Sequence, residues 1–397
     1  MNSVLHSGVA RMRSLAVASL ALSLAVVYGA PAMASAPAQL TRWSIVSSPN
    51  EEGWNWLTAV DASAGDSAWA VGYYIDPNAE LETLAERWDG SAWTLVQTPN
   101  VDTNGDQLYG VAAVSSSEAW AVGHAAGEPD TYTSTTLVER WTGSAWSVVP
   151  SPNPSKDPIY GSNQLYDVRA FATNDVWAAG WQWTTIGSAP LIERWDGRAW
   201  KVSPTPNDLN RELQALDGTS ASDIWAVGHA STFSDGNQSL IMHWDGSSWT
   251  VVPAPKLADD NYLNDVVAIS ATDVWAVGYT LPPNLDIQPH YLHWNGSVWA
   301  VVPSPHLSSS HNYVQSVTAV SRNRVWAAGY RTLNGKIVSF VERWDGTRWS
   351  VEPTPNLPGG ANYLSDVTVD PAGGLWSAGY FYPLSGIRTH ILHRSQG

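Results

Sequence analysis

The chain has 397 residues, with 20 Lys plus Arg against 36 Asp plus Glu, no cysteine and 24 tryptophans. Without Cys there can be no disulfide framework, thiolate metal site or catalytic thiol, and a formal net charge of −16 opposes nucleic-acid binding and attraction to an anionic membrane. Charged residues make up 14% of the chain, below the roughly 25% of an average globular protein.

The chain opens with Arg11 and Arg13, an apolar run from Ser14 to Val27, and then Ala32-Met33-Ala34. That order of charge, apolar stretch and small residues predicts a secretory signal over 1–34, cleaved after Ala34. The apolar run is too short for a permanent span. Residues 35–397 are therefore expected to be exported as one domain.

One repeat then fills the chain. Ala-Trp-Ala-Val-Gly around Trp69 returns at Trp120, Trp177, Trp225, Trp275, Trp326 and Trp376, at spacings of 51, 57, 48, 50, 51 and 50. Arg87-Trp88-Asp89-Gly90-Ser91-Ala92-Trp93 recurs with Trp pairs at 141/146, 195/200, 244/249, 294/299 and 344/349. Ahead of each Trp-Ala-Val-Gly lies a Leu-x-Asp-Val-like string, and behind each Trp pair a Val-rich stretch ends in x-Pro. Alternating, β-branched segments read as strands; Asp-Gly supplies the positive φ of a tight hairpin, and Pro stops the ladder. Seven copies of four antiparallel strands at this period predict an all-β fold, a seven-bladed β-propeller.

The ends fit together. The last copy stops after Ile391-Leu392-His393-Arg394 without a fourth strand, while Arg42-Trp43-Ser44-Ile45-Val46 supplies one at the start. An N-terminal strand completing the last blade closes the ring and removes both open edges.

Twenty of the 24 tryptophans occupy three repeat positions and are expected to pack between blades. Glu86-Arg87, Glu139-Arg140, Glu193-Arg194 and Glu342-Arg343 become Met242-His243, Leu292-His293 and Leu392-His393 in the other copies. Glu and Arg come and go together, which predicts charge pairing between neighbouring strands and scaffold roles for the three histidines.

Function is expected at the channel mouth, where first strands begin and second strands end. After the glycine stand Tyr73, His124, Trp181, His229, Tyr279, Tyr330 and Tyr380; before the first strand stand Trp56, Gln107, Gln164, Glu212, Tyr262, Tyr313 and Tyr363. One place earlier lie Asn55, Asp106, Asn163, Arg211, Asn261, Asn312 and Asn362. Aromatic faces interleaved with amides and carboxylates suit a neutral, hydroxyl-rich ligand, unless these residues only cap strands and turns. Trp183, in a long connection of copy three, and Trp54 and Trp56 lie outside the packing pattern and are further contact candidates. His124, His229 and Glu212 are the acid/base candidates if the protein is an enzyme. Asp102-Thr103-Asn104-Gly105-Asp106 lacks the downstream Glu of a calcium loop. Neither a phosphate-binding motif nor a Gly-x-Ser-x-Gly or His-Glu-x-x-His motif occurs, and no metal or other cofactor is expected.

Asp273-Val274-Trp275-Ala276-Val277-Gly278-Tyr279, Glu193-Arg194-Trp195-Asp196-Gly197 and Val301-Val302-Pro303-Ser304-Pro305 resemble the repeat of exported bacterial β-propellers grouped with kelch-like or sialidase-type repeats. Kelch Gly-Gly pairs are missing, Asp89 precedes Trp93 by four positions rather than the five of an aspartate box, and the rim offers only Arg211 where a sialidase uses three arginines. The resemblance implies the fold and not an activity. The expected function is a monomeric, extracellular propeller that binds carbohydrate at its aromatic rim; the alternatives are a lyase-like glycan-cleaving enzyme and a scaffold for cell-surface proteins.

Overall fold

The computed structural model describes residues 42–396 except 102–104, 129–130, 207–209, 233–235, 259 and 306–309. The expected signal segment and most of the calcium-like loop lie outside these residues. Within them the chain forms seven four-stranded antiparallel sheets and no helix. The first blade runs Trp54–Ala64, Ser67–Ile75, Leu81–Trp88 and Trp93–Leu95 from the channel outward, and six blades follow in the same order. It is the seven-bladed propeller that the repeat predicts.

The ring closes as expected. The strand Ser44–Val46 pairs antiparallel with Arg388–Arg394, placing Ser44 opposite His393 and Val46 opposite Ile391. The x-Pro-Asn ending does more than stop a strand. The Asn50 side-chain carbonyl accepts the Thr389 backbone N–H at 2.9 Å, and the Thr389 hydroxyl donates to the Pro49 carbonyl. Asn100 takes the Thr83 N–H, Asn153 that of Thr136 and Asn356 that of Ser339 in the same way.

Tryptophans weld the blades. Each second-strand Trp is almost fully buried, and all but Trp326 wedge between the Trp pair of the next blade. Trp69 lies 4.9 and 4.8 Å from Trp141 and Trp146, and Trp376 crosses the closure to Trp88 and Trp93 at 4.9 and 5.2 Å. Blade seven has Arg394 where the others have the first Trp of the pair. Its guanidinium stands 5.4 Å from the Trp326 ring and 3.3 Å from the Glu352 carboxylate, while Trp43 fills the other half of the slot. The glycine after each motif is forced by a close crossing: a Cβ on Gly278 would stand 2.1 Å from the Tyr262 carbonyl oxygen, beside the bulge between Leu263 and Asp265.

The Leu-x-Asp-Val aspartates are inter-blade staples. Asp167 accepts the backbone N–H of Val168 and, across the interface, that of Leu216. Asp265 does the same with Val266 and Val317, and Asp366 with Val367 and Val60.

The expected Glu–Arg pairing does not form. Adjacent residues of a strand point to opposite faces, so the two side chains cannot meet on one face. Arg140 instead lies 5.0 Å over the Trp120 ring and bonds Glu118 at 2.7 Å, and Arg194 lies over Trp177 and grips Asp175. Glu86, Glu139, Glu193 and Glu342 turn the other way and are fully buried. Burial pushes all four carboxyls up, Glu193 to about 8 and Glu342 to about 7. His243 and His293 take over the Arg position, bonding Asp223 and Asp273 at 2.7 and 2.8 Å while resting on Trp225 and Trp275. His393 rests on Trp376. These are the scaffold roles expected for them.

Candidate functional site

Register brings the rim together. Trp56 pairs with Tyr73, Gln107 with His124, Gln164 with Trp181, and Glu212 with His229. Tyr262, Tyr313 and Tyr363 pair with Tyr279, Tyr330 and Tyr380. Every candidate at these paired positions stands half-buried at one end of the channel.

The rings form a band. Within blades they stack: Trp56 on Tyr73 at 5.1 Å, Tyr262 on Tyr279 at 4.9 Å, Tyr313 on Tyr330 at 4.8 Å and Tyr363 on Tyr380 at 4.5 Å. Between blades they meet edge to face, Tyr279 with Tyr313 and Tyr330 with Tyr363. Their faces are thus largely engaged with one another, and ring edges and hydroxyls are what the band retains for the mouth. Burial pushes the Tyr279 phenol up to about 12, with Tyr262 and Tyr313 adding to the rise.

Tyr109 and Tyr166 belong to the band although the sequence reading passed over them. Tyr109 stacks with His124 at 5.5 Å and meets Tyr166 edge to face at 5.1 Å, and the Trp181 indole N–H donates to the Tyr166 hydroxyl at 3.0 Å. Each is the variable residue of Leu-x-x-Val, and strand alternation, which turns that position toward the channel, was the available signal.

The first strands begin earlier than the sequence predicts, so that the rim residues and those one place earlier lie within them; the earlier residues behave differently. Asn55, Asn163, Asn261, Asn312 and Asn362 are buried. Asn55 bonds the backbone of Glu51, Asn163 that of Ser155, Asn261 that of Ala258 and Asn362 that of Leu357. These four hold connecting loops, with their amide groups engaged by backbone.

Among the acid/base candidates, His229 Nε2 lies 3.7 Å from a Glu212 carboxylate oxygen. Burial pulls the His229 imidazole down while Glu212 pulls it up, and burial holds His124 at about 4. His124 stays neutral near pH 7 and cannot serve there as a proton donor in its cationic form. It belongs to blade two and the His229–Glu212 pair to blade four, so the three candidates do not lie in one blade.

The four tryptophans outside the packing positions, Trp54, Trp56, Trp181 and Trp183, are all at this end of the ring. Trp54 is 48% and Trp183 38% exposed. Trp183 is not in a loop as expected: the strand Asp175–Thr184 continues past it into a tight hairpin with Gly187–Trp195, and its backbone N–H bonds the Ser162 carbonyl at 2.8 Å.

Two cavities open here. One, of about 410 Å3, fills the upper channel between Tyr109, Tyr166, Gln214, Asn264 and the stapling aspartates. The other, of about 530 Å3, lies at the corner of blades five and six between Leu281, Leu285, Ile287, Ile337, Tyr313 and Tyr330. The acidic groups of Asp76, Glu80 and Glu82 lie within 4.8 Å of one another, but Asp76 caps its own turn through the Asn78 and Glu80 N–H groups, and Glu82 accepts the Tyr74 hydroxyl.

No family profile and no curated protein matches the chain. Solved propellers do. The chain is similar to YCF48 bound to a D1 peptide, with 15% identity over 90% of this chain and 98% of that one and a TM-score of 0.52. It is similar to the extracellular domain of BT4673 from B. thetaiotaomicron, with 10% identity over 90% of this chain but 40% of that one and a TM-score of 0.53. It is also similar to a PL25 ulvan lyase bound to a GlcA–Rha3S saccharide, with 9% identity over 87% and 97% of the two chains and a TM-score of 0.52. Such distant likeness establishes the fold alone.

Proposed function

We propose that the protein is an exported binding propeller that holds a carbohydrate at its aromatic mouth. The observation that carries this reading is the band of half-buried rings and hydroxyls at one end of the channel, with the exposed Trp54 and Trp183 at the same end. Phenol and indole edges offer C–H surface and hydrogen-bonding groups together, which hydroxyl-rich ligands need. The other twenty tryptophans pack between the blades away from this mouth. Export accords with the residues 1–34, and the fold is shared with an extracellular domain and with a saccharide-bound lyase.

A glycan array on the mature protein tests the reading, followed by Trp183→Ala and Tyr279→Ala. Glycan binding lost in either variant with an unchanged melting curve supports it; an array without a binder refutes it. The close approach of His229 and Glu212 favours glycan cleavage as a second reading, with neutral His229 accepting a proton. Unsaturated product absorbing in the ultraviolet on polyuronate, lost in His229→Ala, is the result that reading requires.

A further inference from the structure

The rim is not uniform, and one corner departs from the repeat in three ways. Where blades five and six meet, the second-to-third-strand connection of blade five holds Leu285 at φ 61°, the bulge at the start of the strand Ser310–Ser321 holds His311 at φ 55°, and the hairpin between Arg324–Leu333 and Lys336–Trp344 turns through Asn334 at φ 52°. These are three of only five non-glycine residues with positive φ among those described. Asn tolerates this conformation, but for Leu it costs roughly 1–2 kcal/mol. Burial does not repay Leu285, which stays 62% exposed.

The strained leucine lines the 530 Å3 cavity at this corner. Leu281, Ile287 and Ile337 supply further apolar wall; Tyr313, Tyr330 and Tyr363 supply rings and hydroxyls; and Thr332 and His311 complete the lining. Among the described residues no carboxylate, lysine or arginine lines it. The volume falls within the range of small-molecule sites, which are mostly apolar with a few placed polar groups. An ionised ligand would lose water there without meeting an opposite charge, which is strongly unfavourable.

We infer that this corner is where the rim holds its ligand, and that the ligand is an uncharged saccharide with one apolar face laid against Leu285, Ile287 and Ile337 and its hydroxyls turned toward the tyrosines. The inference rests on the carbohydrate reading above and adds a location and a charge class to it. It separates this site from the ligand of the structurally similar lyase, whose saccharide carries a uronate and a sulfate.

Isothermal titration of the mature protein with cellotriose, xylotriose, L-fucose and L-rhamnose, beside tri-galacturonate and chitotriose deacetylated to the amine, tests it. At least one neutral sugar binds, and the charged sugars bind tenfold or more weakly. Leu285→Asn, which suits the left-handed backbone, weakens neutral-sugar binding fivefold or more while its melting temperature equals or exceeds the parent's. Ile337→Glu abolishes binding. Neutral-sugar binding that survives both variants and is lost in Trp183→Ala overturns the location but leaves the carbohydrate reading standing. Equal or tighter binding of a charged sugar overturns the charge class, and silence toward every sugar overturns both.

Discussion

Replacing Glu193 with Met isolates the least expected feature of the blades. The Glu193 side chain is fully buried and neither of its carboxylate oxygens has a hydrogen-bond partner. Its repeat equivalent Met242 sits in the core between blades three and four with Trp177 and Leu213, so the slot accepts a thioether of similar length. Moving a carboxyl from 4.5 to about 8 corresponds to about 5 kcal/mol at full ionisation. The folded pKa is raised, so stability is fully present below about pH 4.5, where the unfolded chain is also protonated, and is lost as the pH rises through about 8. Glu193→Met removes that loss. In urea denaturation the variant exceeds the parent by roughly 3–5 kcal/mol at pH 9, and by no more than about 1.5 kcal/mol in either direction at pH 4.5. Taking the difference between the two proteins cancels every other titrating group. A difference that is flat from pH 4.5 to 9, or a variant weaker than its parent at pH 9, would show that Glu193 is ionised and paired and would refute the reasoning.

Four further outcomes are expected. His290 is buried and held at about 4 by burial, so it stabilises above pH 6.5 and loses about 3 kcal/mol as the pH falls to 4; His290→Phe, the residue of blade six at Phe340, flattens that acid limb in the same denaturation series. Trp43→Ala opens the slot beside Trp326 and costs roughly 3–5 kcal/mol, read as a lower urea midpoint, and an unchanged midpoint would mean the ring does not depend on its N-terminal strand. Gly278→Ala places a methyl 2.1 Å from the Tyr262 carbonyl and is expected to abolish soluble expression or lower the melting temperature sharply. The Ser316 hydroxyl lies 2.7 Å from Asp265 and 2.5 Å from Asp366 but carries one proton, so one carboxyl must hold another; Ser316→Ala should therefore destabilise more at pH 9 than at pH 5, and the opposite order counts against a shared proton.

The fold was legible because inter-blade packing repeats. Trp69, Trp88, Trp93 and their copies recur at a fixed period, and the mismatch between Trp43 and Arg394 at the two ends allowed one closure. The rim was legible as a place, because the residue after each glycine and a residue near the start of each first strand must pair across the same hairpin, although those first strands begin a residue or two earlier than expected. Its internal order was not legible. Whether Tyr262 and Tyr279 show their faces to a ligand or to each other depends on the spacing of the strands at the mouth, which no local pattern records. Tyr109 and Tyr166 stand at the variable position of Leu-x-x-Val, where the repeat alone carries no signal and only strand alternation points to the channel.

The Glu–Arg prediction failed for a reason that bears on every repeat read this way. Glu193 and Arg194 covary across the seven blades, but they are neighbours on one strand and therefore face different interfaces. Arg194 meets the acid of its own blade, Asp175, while Glu193 enters the apolar slot toward the preceding blade. His in place of Arg accompanies Met or Leu in place of Glu in blades four, five and seven, although the two side chains never touch. Copying of whole repeats produces such covariation without any contact. Where copying is the source, a pair at successive strand positions signals shared ancestry of the blades. Interaction has to be argued from alternation, which would have separated Glu193 from Arg194 at the start and assigned the carboxyl to the core.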